Sequence, residues 1–115
     1  MATIFLSAGH GGKDPGAVNK EKGLEEADIN LAILLACRDI LVSKGHKVVC
    51  SRTKDEDDDK KQESNEAVNS GAEVAISIHT NSGEARGKPG DGFEVYYDSR
   101  NLYGKQLAEC ITKHI

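Results

Sequence analysis

Thr3-Ile-Phe-Leu-Ser7, running into Ala8-Gly-His-Gly-Gly12, is the stretch on which the fold turns. Its first part is a short β-branched and aromatic run with no charged break, the mark of a strand buried on both faces. The glycines end it and open a polar loop to Lys22. Outward from there, Ile29, Ile33, Ala36, Cys37, Ile40 and Leu41 recur at helical spacing between Glu25 and Lys44, and Leu31, Leu34, Leu35 and Val42 widen the stripe. Gly45 is the expected stop. Lys47 to Ser51 reads as a second strand, and Glu73 to His79 as a third, again buried in character. Gly92 to Tyr97 alternates as a fourth strand should. A helix is expected to run through Asn69, and a last one carries Leu102, Leu107, Ala108 and Ile111 with Ser99 as its cap. Strands alternating with helices predict an α/β fold: a single layer sheet, mostly parallel, flanked by helices. With no repeat and no linker, residues 1–115 read as one domain.

Composition narrows the function. The 115 residues carry 15 basic and 19 acidic side chains, a formal charge of -4, so no basic stripe invites nucleic acid. No run of 18 apolar residues exists to span a membrane. The opening MATIFLSAGHGG is too short in its apolar part for a signal peptide, so synthesis in the cytoplasm without a leader is expected. Cys37, Cys50 and Cys110 are widely spaced within apolar patterns and read as small buried thiols of a reducing compartment.

In an open α/β sheet, ligands bind beyond the carboxyl ends of the strands. His10 follows the first strand, His79 ends the third, and Glu25 and Glu26 open the helix that starts near the same rim. Two imidazoles and one carboxylate are a ligand set that leaves zinc a fourth position for water. A histidine at a strand end is also a common structural hydrogen-bonder, and the pattern alone does not choose between the two.

The stretch from Ile4 to Ala17 resembles the opening signature of the zinc-dependent N-acetylmuramoyl-L-alanine amidases, the amidase-3 family of cell-wall hydrolases. Gly23 to Leu31, Ser77 to Asn81 and Gly92 to Tyr97 follow the same pattern in the same order. The resemblance implies zinc held by His10, Glu26 and His79, with Glu26 rather than Glu25 as the acid. Asn30, one turn further along, reads as structural. The implied reaction is hydrolysis of the amide between N-acetylmuramic acid and L-alanine in bacterial peptidoglycan, in wall lysis or remodelling, by an autolysin or an endolysin. The partner is therefore peptidoglycan, and the place of action is the cell wall, reached by secretion or on lysis. Family members take their proton carrier from a glutamate on a late strand. No such motif occurs in these 115 residues, and Glu94 does not align with it. The expectation is a family domain without its C-terminal part and with little turnover. A non-catalytic metal- or wall-binding module of the same fold is the alternative. A zinc peptidase fits less well, since 15 residues separate His10 from Glu26 and no HExxH helix is present.

Other features read as bland. Asp55, Asp57, Asp59 and Glu66 mimic calcium-loop positions, but Lys60 stands where such a loop needs glycine. A solvated acidic loop is expected instead. His46 and His114 read as surface residues. Asn81 and the glycines after it read as either a turn or a substrate contact.

Overall fold

The computed structural model describes residues 1–57, 60–80 and 94–114, without the side chain at position 60. The chain forms two compact units, Met1–Asn81 and Ser82–Ile115.

The first unit runs β1 (Thr3–Ala8), β2 (Val18–Asn19), β3 (Leu24–Glu25), α1 (Glu26–Ser43), β4 (Lys47–Cys50), α2 (Lys60–Asn69) and β5 (Val74–Ile78). β1 lies at the centre of a three-stranded sheet of order β4-β1-β5, parallel to both neighbours. Its central place explains the unbroken apolar run, because every residue from Ile4 to Ala8 is buried. Ile4, Leu6 and Ala8 pack with Leu34 of α1, and Leu41, Val48, Ile76 and Ile78 close around them. On the opposite face Phe5, Ser7, Ala75 and Ser77 look onto α2 across a groove of about 320 Å³ that reaches His79.

α1 occupies the expected span, but its apolar stripe is turned. Ile33, Ile40 and Val42 are exposed, whereas Ala27, Asn30 and Leu34 are buried. Periodicity identifies a helix, yet a stripe this wide does not say which edge meets the sheet. Asn30 takes a core position because its hydrogen bonds are made there, as described below. Lys44 and Gly45 close the helix, Gly45 at φ 89°. The segment read as plain loop to Lys22 contains β2, which pairs as a hairpin with β3 just beyond it, Val18 opposite Glu25. Two-residue strands are too short for alternation to register. His46 is half-buried rather than a surface residue, its Nδ1 accepting from the Ala2 N–H (3.1 Å).

In the second unit, Glu94 to Tyr97 makes no strand pairing among the described residues, and Gly92 and Phe93 lie outside them. Alternation marks a two-faced segment, but only a partner makes a strand of it. Helix α3 (Leu102–Lys113) is capped by Asn101, whose side chain accepts from the Gly104 N–H, and not by Ser99. Asp98 draws Ser99 and Arg100 into a turn by accepting from the Arg100 N–H, which sets the helix start two residues later. Cys110 is exposed, against expectation; Cys37 and Cys50 are half-buried, and all three are free thiols. No helix among the described residues is long and apolar enough to cross a membrane.

Candidate metal centre

The rim of the sheet is built from the ends of β1, α1 and β5. The Gly9 N–H donates to the Ile78 carbonyl (2.9 Å), carrying the ladder one residue past β1 and leaving His10 beside the end of β5. His10 has φ 65°, a left-handed conformation costly for a residue with a Cβ. Two backbone bonds between Gly11 and Asp14 (2.7 and 2.9 Å) fold the loop behind it. The Asp14 carboxylate lies 2.8 Å from His10 Nδ1 and also accepts from the Gly16 N–H (3.0 Å). An imidazole donating from Nδ1 to a carboxylate presents the Nε2 lone pair outward, the orientation a metal ligand needs. His10 Nε2 is 3.2 Å from Glu26 Oε1.

Glu26 is the first residue of α1, where the helix dipole favours negative charge. It is buried. Burial pulls its pKa up, but hydrogen bonds from the Ala17 and Thr80 N–H groups, Asn30 and His79 outweigh it, leaving the carboxyl below the ordinary glutamate value. Oε1 accepts from Ala17 (3.1 Å), and Oε2 accepts from Thr80 (3.1 Å). Asn30 Nδ2 reaches Oε2 at 3.4 Å and the Gly9 carbonyl at 3.1 Å, while the Thr80 hydroxyl donates to Asn30 Oδ1 (2.6 Å). Asn30 therefore both orients Glu26 and satisfies backbone.

His79 Nδ1 lies 3.1 Å from Glu26 Oε2, and its ring stands edge-on to His10, centroids 5.3 Å apart and planes at 89°. No Cβ fits at Gly9 or Gly16: at Gly9 it would strike the His79 ring, and at Gly16, with φ 68°, it would lie 2.6 Å from His10 Cδ2 and 2.8 Å from Glu26 Oε1.

One ligand atom each from His10, Glu26 and His79 lie within 4.8 Å of one another. The three residues singled out at the rim thus meet, whereas Glu25 is exposed on β3. Asn81 lies outside the described residues.

Four supporting residues escaped the sequence reading. Asp14 had a signal, a carboxylate four residues after a histidine in a glycine-rich loop. Arg52 also had one, standing just past β4 at the same carboxyl rim. Its guanidinium is buried and donates to the carbonyls of Ala8, Gly9, Ala27 and Lys54. Asp55 and Asp57 are not idle solvated charges: they accept from the Gly12 (2.8 Å) and Lys13 (2.7 Å) N–H groups and clamp the His10 loop. Nothing in a run of acids announces which of them will find a backbone donor.

Comparison with known proteins identifies the family to which this fold belongs. The amidase-3 family model, described as N-acetylmuramoyl-L-alanine amidase, matches residues 4–115. The sporulation-specific N-acetylmuramoyl-L-alanine amidase of Bacillus subtilis (strain 168) is 43% identical over 98 residues, covering 84% of this chain and 36% of its own length. This chain thus spans about a third of that relative. The solved N-acetylmuramoyl-L-alanine amidase of Clostridium difficile 630 superposes with a TM-score of 0.81 at 32% identity, over 97% of this chain and 61% of that one. The catalytic domain of CwlV from Bacillus (Paenibacillus) polymyxa var. colistinus gives a TM-score of 0.70 at 36% identity, over 76% and 50% of the two chains. By its sequence and by its fold, the chain belongs to the amidase-3 family of N-acetylmuramoyl-L-alanine amidases.

Proposed function

We propose that this chain carries the ion-binding core of a zinc-dependent N-acetylmuramoyl-L-alanine amidase. The reaction is hydrolysis of the amide joining the lactyl group of N-acetylmuramic acid to L-alanine in peptidoglycan, and the place of action is the cell wall. The observation that carries this reading is the convergence of His10, Glu26 and His79, from three separate segments, at the carboxyl rim of a parallel sheet. Family membership supports the substrate.

The donor set suits zinc. Two ligand atoms about 2.1 Å from one tetrahedral ion lie about 3.4 Å apart. His10 Nε2 lies 3.2 Å from Glu26 Oε1 and His79 Nδ1 3.1 Å from the other oxygen, Oε2, each pair close to that edge but through a different carboxylate oxygen. Zinc in such a site acts as a Lewis acid toward an amide carbonyl and makes water a stronger acid. The chain's own residues do the rest. Asp14 holds the His10 ring so that Nε2 faces the site. The amides of Ala17 and Thr80, with Asn30, keep Glu26 ionised and fixed. His79, more exposed than the other two, borders the side open to substrate.

Among the described residues both carboxylates of the cluster are committed, Glu26 to the ligand set and Asp14 to His10 and Gly16. A proton carrier must reach a leaving amine as well as water, and neither residue is placed for that. This observation supports a second reading, a non-catalytic metal- or wall-binding module of the same fold that gives no cleavage at all. Zinc analysis of the purified chain beside His79→Ala, with an assay of amide cleavage on a muramoyl-peptide, separates the two. Stoichiometric zinc in the wild type, lost in the variant, is expected, with weak cleavage. Equal zinc in both removes His79 from the site. Cleavage at rates usual for an enzyme, with kcat of about 1 per second or more, would put a proton carrier within these 115 residues.

A further inference from the structure

We propose that Arg52 is the positioning residue of this metal centre, joining the loop that bears His10 to the helix turn that bears Glu26; the inference rests on the ion-binding reading above. Its side chain is 3% exposed. Nε donates to the Ala8 carbonyl (3.2 Å), Nη2 to the carbonyls of Gly9 (3.3 Å) and Ala27 (2.9 Å), and Nη1 to that of Lys54 (3.0 Å). Two of these acceptors immediately precede His10, and a third immediately follows Glu26. One rigid planar group therefore spans two ligand-bearing segments that are far apart in sequence.

The placement is specific to the site. The sheet is held by its own ladder, and the core by Ile4, Leu6, Ala8 and Leu34, none of which needs a cation. A buried charge is costly unless every donor is satisfied. Among the described residues Arg52 forms no ion pair, and four of its five N–H groups donate to carbonyls. His10 stands in a left-handed conformation, which persists only where the surroundings over-determine it. Arg52 grips the two peptides leading into it, and Asn30 shares the Gly9 carbonyl. The fit is close on the far side as well, since a Cβ at Gly11 would lie 2.9 Å from Arg52 Nε. A lysine would keep the charge but lose the fixed fork of donors that reaches four separate carbonyls.

Arg52→Lys and Arg52→Gln, made in the whole chain, test this through metal affinity and backbone exchange. Leu34→Ala serves as a control that weakens the core without touching the rim. Zinc affinity is read by chelator competition on folded protein, and coordination by the visible spectrum with cobalt(II) in its place. Both Arg52 variants are expected to fold cooperatively, to bind zinc about 10–100-fold more weakly, and to give an altered cobalt spectrum. In the ion-free chain the Gly9 and Gly11 amides should exchange faster while those of β1 stay protected. Leu34→Ala should melt earlier yet keep its zinc affinity when folded. Wild-type affinity in both Arg52 variants overturns the proposal, as does unchanged exchange at Gly9 and Gly11. Failure of both variants to fold in excess zinc also overturns it, because Arg52 would then be supporting the whole fold. A wild-type chain that binds no zinc sinks the metal reading itself, and the exchange data distinguish that result from a failure of the Arg52 contacts.

Discussion

Asn30→Ala offers the sharpest test of how the rim is held together. Asn30 is fully buried and joins three segments: it donates to the Gly9 carbonyl and to Glu26 Oε2, and accepts from the Thr80 hydroxyl. Truncation deletes all three. The two neutral bonds are worth about 1 kcal/mol each, and the one to Glu26, long at 3.4 Å, is given the same weight, so the loss is about 3 kcal/mol. Gly9 and Glu26 keep other partners, Arg52 for the first and the Ala17 and Thr80 amides for the second. This argues against a larger figure. In a domain of 60–100 residues each kcal/mol moves the melting temperature by about 4–8 °C, so a fall of roughly 12–24 °C is expected. The assay is thermal and urea unfolding of the ion-free protein at neutral pH, with Asn30→Asp alongside. Aspartate can still accept from Thr80, but it cannot donate to Gly9 and sets a second negative charge beside Glu26. It should be at least as damaging as alanine. A loss below about 0.5 kcal/mol for alanine, the range of ordinary surface changes, would refute the idea that Asn30 ties the rim. So would wild-type stability for Asn30→Asp.

Two further predictions concern the ligands themselves. Gly9→Ala pushes a Cβ into the His79 ring with no strain at its own φ, so the ring must move; overpacking of about 1–3 kcal/mol and at least a tenfold loss of zinc affinity are expected. Zinc titration and a melt check this, and wild-type affinity in the variant would remove the close approach from the account. For Glu26 the folded-state pKa lies below the unfolded one, so its hydrogen bonds stabilise the ion-free fold above the unfolded value of about 4.3. That contribution disappears as pH falls through the lower folded value. Unfolding measured between about pH 7 and pH 2 should show a steeper acid loss in the wild type than in Glu26→Gln, whereas parallel curves would mean that Glu26 gains nothing from its partners.

Some of this was legible along the chain because it depends on local pattern. The central strand announced itself through Ile4, Phe5 and Leu6, which have no solvent side. Helix α1 was visible from its spacing and from Gly45. His10, Glu26 and His79 could be placed at one edge because parallel topology puts all carboxyl ends of the strands on the same side. The errors have a common physical cause. The rotation of α1, the segment from Glu94 to Tyr97 that makes no strand pairing among the described residues, and the cap at Asn101 each depend on which group meets which in space. Asp55 and Asp57 belong to the same class, since their worth comes from the Gly12 and Lys13 amides and not from their neighbours in sequence.

The order of residues alone decided that this chain would build an α/β layer with two histidines and an acid at its rim, because strand burial and helix period are properties of consecutive side chains. Folding in three dimensions decided how those ligands are held. Asp14 turns the His10 ring, Asn30 and Thr80 fix Glu26, and Arg52 bonds the peptides on either side. Apart from the Asp14–His10 pair, four residues apart, the bonds Thr80 makes to Glu26 and Asn30 and Arg52 makes to Ala27 join groups 25 to 54 residues apart, set by distances and angles that no one-dimensional pattern encodes.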